Sequence, residues 1–174
     1  MVFKMSIDID QMSVLDRRRI EAMVLGPMIR AFEHEIGKER AHAIARQVII
    51  KIAQDQGKAL SQRLGGNDLS TFSRGKDPWT RGGALEMDVL EDSEVRVSFN
   101  VTRCRYAEMY RELGMEDLGF IFSCGRDDGA LSGGFNPRLK LERTQTIMEG
   151  ASHCDFRYTQ AQESEEDGKS SGGE

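Results

Sequence analysis

From Val14 to about Ile36 apolar residues recur at helical spacing, with Ile20, Val24, Met28, Ala31 and Phe32 along one side, so the pattern predicts an amphipathic helix. Gly26-Pro27 falls in its middle. Proline lacks a backbone donor and crowds the preceding turn, so a kink or two abutting helices are expected there, and Gly37 reads as the C-terminal cap. A second helix is expected from about Lys38 to Arg63, where Ala41, Ile44, Ala45, Val48, Ile52 and Leu60 form a stripe that Gly65-Gly66-Asn67 stops. The two helices are joined by a tight turn.

Asp68 to Gly83 has little periodicity and carries Pro78, several glycines and Trp79, the chain's single tryptophan. It reads as a long surface connection, a kind of segment that often carries function. Beyond Gly83 the period becomes two: Leu85, Met87 and Val89, then Glu91-Asp92-Ser93, then Val95, Val97, Phe99 and Val101. That is the pattern of a β-hairpin. Helical spacing returns from Cys104 to Leu113 before Gly114, and again in a short helix from Leu118 to about Leu131. A second hairpin follows, with Leu139, Leu141, Arg143, Gln145 and Ile147 alternating on one arm, Glu149-Gly150-Ala151-Ser152 as the turn, and Cys154, Phe156 and Tyr158 on the return. The expected architecture is α+β: a long N-terminal helical pair packed on an antiparallel sheet of two β-hairpins, with short intervening helices. Residues 1–160 read as one domain.

Charge sharpens this outline. The chain has 174 residues with 24 Lys and Arg against 29 Asp and Glu, a formal charge of −5. The stretch 161–174 holds Glu163, Glu165, Glu166, Asp167 and Glu174 against Lys169, which leaves the body close to neutral. An acidic tail of that composition cannot bury a core and is expected to be disordered. A near-neutral body does not suit a nucleic-acid binder, whose affinity comes from clustered cations, and the one dense cluster, Arg17-Arg18-Arg19, reads as a solvated helix face. No apolar run is long enough to span a membrane, and residues 1–11 lack the layout of a secretory signal. A cytoplasmic protein without nucleic-acid or membrane partners is expected, and the oligomeric state stays open.

Candidate chemistry gathers in the second half. Cys104, Cys124 and Cys154 all lie there, each at an element end or near a turn, positions that can converge at one edge of a sheet. An odd number of cysteines does not suit a disulfide scaffold. They read either as small buried hydrophobes or as functional thiols. Asp127 lies three residues after Cys124 on the same helical face, while His153 and Asp155 flank Cys154, so acid and base candidates stand beside the thiols. A zinc site from Cys104, Cys124, Cys154 and His153 suits the ligand types, but there is no C-x-x-C pair, and His153 and Cys154 on a strand point to opposite faces. Otherwise no metal or cofactor is expected. His34 and His42 flank Gly37 without H-E-x-x-H spacing, and nucleophile-elbow, P-loop and dinucleotide signatures are absent.

Five ordered motifs stand out: Phe99-Asn100-Val101-Thr102-Arg103-Cys104 with Tyr106-Ala107; Cys124-Gly125-Arg126-Asp127; Phe135-Asn136-Pro137; Arg143-Thr144-Gln145-Thr146-Ile147-Met148-Glu149-Gly150; and Cys154-Asp155-Phe156-Arg157-Tyr158. Together they resemble the L-2-amino-thiazoline-4-carboxylic acid hydrolase family, over about Ile20 to Tyr158. The resemblance implies hydrolytic opening of a small cyclic amidine: water adds at the ring carbon between sulfur and nitrogen, and the carbon–sulfur bond breaks to give N-carbamoyl-L-cysteine. Such chemistry needs a nucleophile or activated water, a proton donor and a cation for the substrate carboxylate. The residue types present suggest Cys124, Cys154 or Cys104 as nucleophile, Asp127 to activate water, His153 to shuttle protons, and Arg143 or Arg157, with Thr144 and Glu149, to hold the substrate. The competing class is a binding module of the same fold without turnover, in which Trp79, Phe120 and the cysteines line a ligand pocket; a thiolate metal site is a third.

Overall fold

A computed structural model of the chain describes residues 12–161, apart from residue 128 and the side chain of residue 127. The expectations for residues 1–11 and for the acidic tail after 161 therefore lie outside the described residues.

Two long helices open the fold, α1 (Val14–Ile36) and α2 (Lys38–Leu64). The Ser13 hydroxyl oxygen starts α1 by accepting from the Asp16 N–H at 3.0 Å, which satisfies one of the orphan donors of the first turn. Gly37 makes the bend at φ 83°, a left-handed conformation that other residues adopt at a cost. α1 runs unbroken through Pro27. Pro27 lies on the exposed side, so the backbone acceptor that it leaves unpaired meets solvent and not the core.

The helical stripes face the other way from the expectation. The buried positions of α1 are Arg18, Ala22, Gly26 and Ile29, while Ile20, Val24, Met28 and Phe32 are exposed. On α2, Ala41 and Leu60 are buried as expected, but Ile44, Val48 and Ile52 are exposed, and Ile49, Ala53 and Gly57 face inward. Close packing explains the choice. The short helix α8 (Ala130–Phe135) crosses α2 so tightly that a Cβ on Gly57 would run into the Leu131 carbonyl and the Phe135 nitrogen, and one on Gly134 into the backbone of Gln54. Small residues stand on the inner face where backbones approach, with Ile29, Ile49 and Leu60 filling the space between them, and the remaining large side chains take the outer face.

The strands form one four-stranded antiparallel sheet in the order β1-β2-β4-β3, comprising β1 (Leu85–Asp92), β2 (Arg96–Cys104), β3 (Leu139–Glu142) and β4 (Cys154–Gln160). The two hairpins join through β2 and β4, in a register that sets Val97 beside Tyr158, Phe99 beside Phe156 and Val101 beside Cys154. The Phe99 and Phe156 rings stack with centroids 5.0 Å apart. Phe72, Leu131 and Phe135 pack on this aromatic face.

Three segments depart from the expected elements. The connection from Asp68 to Gly83 is largely helical, with α3 (Leu69–Arg74) capped by Asp68 and α4 (Asp77–Thr80) opened by Pro78. The helix expected over Leu118–Leu131 divides into α6 (Glu116–Gly119), a π-helical turn (Phe120–Cys124), α7 (Gly125–Asp127) and α8. The long arm of the second hairpin ends at Glu142, because the N–H groups of Thr144 and Gln145 donate to the Asp155 carboxylate and not to a neighbouring strand. No helix among the described residues is long and apolar enough to cross a membrane.

The bend between α1 and α2 is fastened to α6 by charge. Arg30 donates to both Asp117 oxygens at 2.7 and 3.1 Å, Lys38 reaches the same carboxylate at 3.0 Å, and the Glu33 carboxylate is 2.6 Å from His42 Nε2. The Arg30 guanidinium holds the Asp117 carboxyl well below the ordinary carboxylate range. Its contribution to stability is therefore present above pH ~4 and is lost as the pH falls below that. Asp117→Asn should lower stability at neutral pH and make the acid limb of the stability curve shallower, as read by urea unfolding across pH. Equal acid limbs would contradict this assignment.

The tight crossing gives a sharper test. Gly134→Ala and Gly57→Ala should each cost ~2 kcal/mol or more through overpacking, whereas Gly133→Ala, whose added Cβ meets nothing within 4 Å, should be close to neutral in urea unfolding.

Candidate functional site

The aromatic face of the sheet does not meet the helices flush. Between them lies a cavity of about 110 Å³, comparable to the ~150 Å³ that admits one benzene. Its walls are largely apolar: Phe72 and Trp79 from the α3–α4 connection, Phe99, Phe156 and Tyr158 from the sheet, and Leu131 from α8. The Tyr106 hydroxyl donates to the Trp79 carbonyl at 3.2 Å and so fixes the backbone that carries the indole.

All three cysteines line this cavity, from three different elements. Cys104 ends β2 and is the N-cap of α5 (Arg105–Glu112), its sulfur accepting from the Ala107 N–H at 3.4 Å. Cys124 closes the π-helical turn and is buried, while its carbonyl accepts from Arg143 Nη2 at 3.1 Å. Cys154 opens β4, buried, with its sulfur accepting from the Ile147 N–H at 3.2 Å. Convergence follows from the topology, since β2 and β4 are neighbours and Cys124 reaches the same cavity from the π-helical turn. The thiols do not form a metal cluster: among the described residues only Glu33, His42 and Asp117 bring three ligand atoms within 4.8 Å of one another. That group already pairs with Arg30 and Lys38.

Four cations also line the cavity: Arg18, Lys76, Arg126 and Arg143. Arg126 is 6% exposed; its Nε donates to the Phe122 carbonyl at 2.7 Å, and its Nη atoms reach Gln56 at 3.0 Å and Glu21 at 3.4 Å. Glu21 also pairs with Arg18. The Arg143 guanidinium lies 5.0 Å from the centre of the Phe156 ring. Burial holds the Lys76 ammonium below the ordinary lysine range, offset in part by Asp92 and Asp77, and the same ammonium lies 5.1 Å from the Phe99 ring centre. No carboxylate or imidazole is among the described lining residues.

Several proposed site residues lie elsewhere. His153 contacts the side chains of Gln145 and Ser152 and does not line the cavity. Arg157 donates to the carbonyls of Phe99 and Phe156 and to Asn100 Oδ1, a bracing role within the sheet. Thr144 is exposed and donates its hydroxyl to Asp155 at 2.7 Å, and Glu149 is exposed and bonded to the Thr146 hydroxyl. The Asp127 side chain lies outside the described residues. Phe120 packs into the helical core and not against the cavity.

Asp155 gains a different part. Burial works to raise its pKa, but the Thr144 hydroxyl and the two backbone N–H groups outweigh this and hold it below the ordinary range. It anchors the loop from which Arg143 reaches the cavity. Sequence reasoning missed Phe72, Lys76, Arg18 and Arg126 as lining residues. The Asp68-Leu69-Ser70-Thr71 start of α3 was the available sign that this connection folds back on the sheet, because Asp68 accepts from the Thr71 N–H at 2.8 Å as an N-cap.

The architecture defines an α+β protein with a small apolar chamber between sheet and helices. The chain belongs to the L-2-amino-thiazoline-4-carboxylic acid hydrolase family, whose profile matches residues 17–158. No curated protein matches the chain. Among solved structures it is similar to the phenol-responsive sensory domain of the transcription activator PoxR with phenol, at 11% identity and a TM-score of 0.47, over 84% of this chain and 72% of that one.

Because Trp79 lines the cavity and is the only tryptophan, its fluorescence should report occupancy. A one-ring carboxylate such as benzoate should change the emission saturably, and Trp79→Phe should abolish the signal. A linear change matching that of free tryptophan would mean that the cavity stays empty.

Proposed function

We propose that the chain hydrolyses a small cyclic amidine carrying a carboxylate, in keeping with its family, and that the reaction takes place in the cysteine-lined cavity. The observation that carries this reading is the position of Cys104, a thiol at a helix N-terminus on the same cavity as Arg143. The Ala107 N–H donates to this sulfur, and helix N-termini are among the places where cysteines act as nucleophiles. The aromatic walls receive the ring, and Arg143 pairs with the carboxylate.

The steps balance with one water. The Cys104 sulfur adds to the ring carbon between sulfur and nitrogen; the ring carbon–sulfur bond breaks and the departing sulfur takes up a proton. This leaves the carbon joined to Cys104 as an isothiourea. Water adds to that carbon, the bond to Cys104 breaks, and an N-carbamoyl product leaves with the enzyme thiol restored. The Tyr106 and Ser123 hydroxyls and the neighbouring thiols stand on the cavity wall as groups able to pass protons.

A second reading is favoured by the lining itself. With no imidazole or carboxylate among its described residues, the cavity also suits a module that binds a small aromatic or heterocyclic compound without turnover. Incubation with L-2-amino-thiazoline-4-carboxylic acid separates the two. Wild type is expected to release N-carbamoyl-L-cysteine, Cys104→Ser to lose at least ~100-fold in kcat, and Arg143→Met to raise KM by ~10-fold or more. Saturable binding without product would replace the hydrolase reading with the binding one; loss in Cys124→Ser or Cys154→Ser alone would move the nucleophile.

A further inference from the structure

We propose that the outer face of the helical pair is the interface of a two-fold symmetric homodimer. α1 carries apolar residues on two sides. Its inner side packs on the fold, and its outer side carries Ile20, Met23, Val24, Met28 and Phe32, each between 49% and 59% exposed. Pro27 and Ala31 complete that outer side, so no charged residue interrupts it for more than three turns. α2 adds Ile44, Val48 and Ile52, at similar distances from the Gly37 bend and 39% to 53% exposed. A contiguous exposed apolar stripe of this length is normally covered.

Area and charge select a second copy as the cover. At about half exposure these side chains offer on the order of 700 Å² of apolar surface, near the ~800 Å² that each partner contributes to a stable dimer and above the few hundred Å² usual on a monomer. Arg19 pairs with Glu112 and Glu33 with Arg30 and His42 inside the fold, while Arg17 stands at the start of α1 and Glu35 at its end. A two-fold axis passing near Pro27 lays two α1 helices antiparallel, with the basic start of each over the acidic end of the other. A parallel arrangement would oppose like charges.

Sedimentation of the full chain at micromolar concentration tests this. Wild type is expected at twice the chain mass, Val24→Glu with Met28→Glu at the chain mass with unchanged circular dichroism and ~100-fold or more weaker association, and Val95→Glu, on the exposed β1–β2 turn, at the dimer mass. A monomeric wild type, or a dimer that persists in the α1 variant, overturns the proposal; a monomer whose stripe becomes dye-accessible only when residues 1–11 are removed would assign the cover to that segment. Should the α1 variant fail to fold, Met28→Cys chains decide: they should cross-link to one another on mild oxidation, and absence of the cross-link contradicts the interface.

Discussion

The buried Arg126 guanidinium is the point at which the fold and the cavity meet. It reaches Gln56 on α2 and Glu21 on α1 while its Nε holds the Phe122 carbonyl. A guanidinium at 6% exposure is costly to bury without partners, so α1, α2 and the π-helical turn are obliged to close around it. That closure seats Cys124 at the cavity, since Phe122 and Cys124 belong to the same turn. The Glu21 carboxylate shared with Arg18 offsets the positive charge on this wall.

From that anchor the rest of the chamber follows by packing. The glycine crossing of α2 and α8 brings the helices close to the sheet, and the stacked rings of Phe99, Phe156 and Tyr158 set its floor. Asp155 turns the chain out of the sheet after β3, so that Arg143 reaches the Cys124 carbonyl where a regular hairpin would have paired it with a neighbouring strand. Backbone groups, a carboxylate clamp and small residues thus place the thiols and cations on one apolar cavity.

The α+β class, both long helices, the first hairpin and the returning strand were legible in hydrophobic periodicity, because the large apolar residues of β2 and β4, Val97, Phe99 and Val101 and then Cys154, Phe156 and Tyr158, recur at every second position and are buried. The orientation of the helices was not. Ile29, Ile49 and Leu60 face inward among small residues while most large apolar residues of α1 and α2 turn outward, so counting hydrophobes selected the outer side of α1 and, apart from Ala41, Ala45 and Leu60, of α2. The division of the Leu118–Leu131 segment was hidden for a related reason: Gly119 is needed where the Tyr110 ring occupies the space of a Cβ, a contact distant in sequence terms from any local propensity. For the candidate site, residue type and spacing pointed to the cysteines and Arg143, and these line one cavity. Arg157 was put forward by residue type, as was Arg143, but it sits on β4 and braces the sheet, while His153, Thr144 and Glu149 fall in the loop outside the strands and off the cavity.

Three thiols from distant elements share one ring-sized chamber. Titration of the folded protein with N-ethylmaleimide, followed by intact-mass and peptide analysis, addresses it directly. One adduct should dominate and suppress reaction at the other two cysteines, with all three modified only after denaturation. Three adducts forming at independent rates on folded protein would contradict the account.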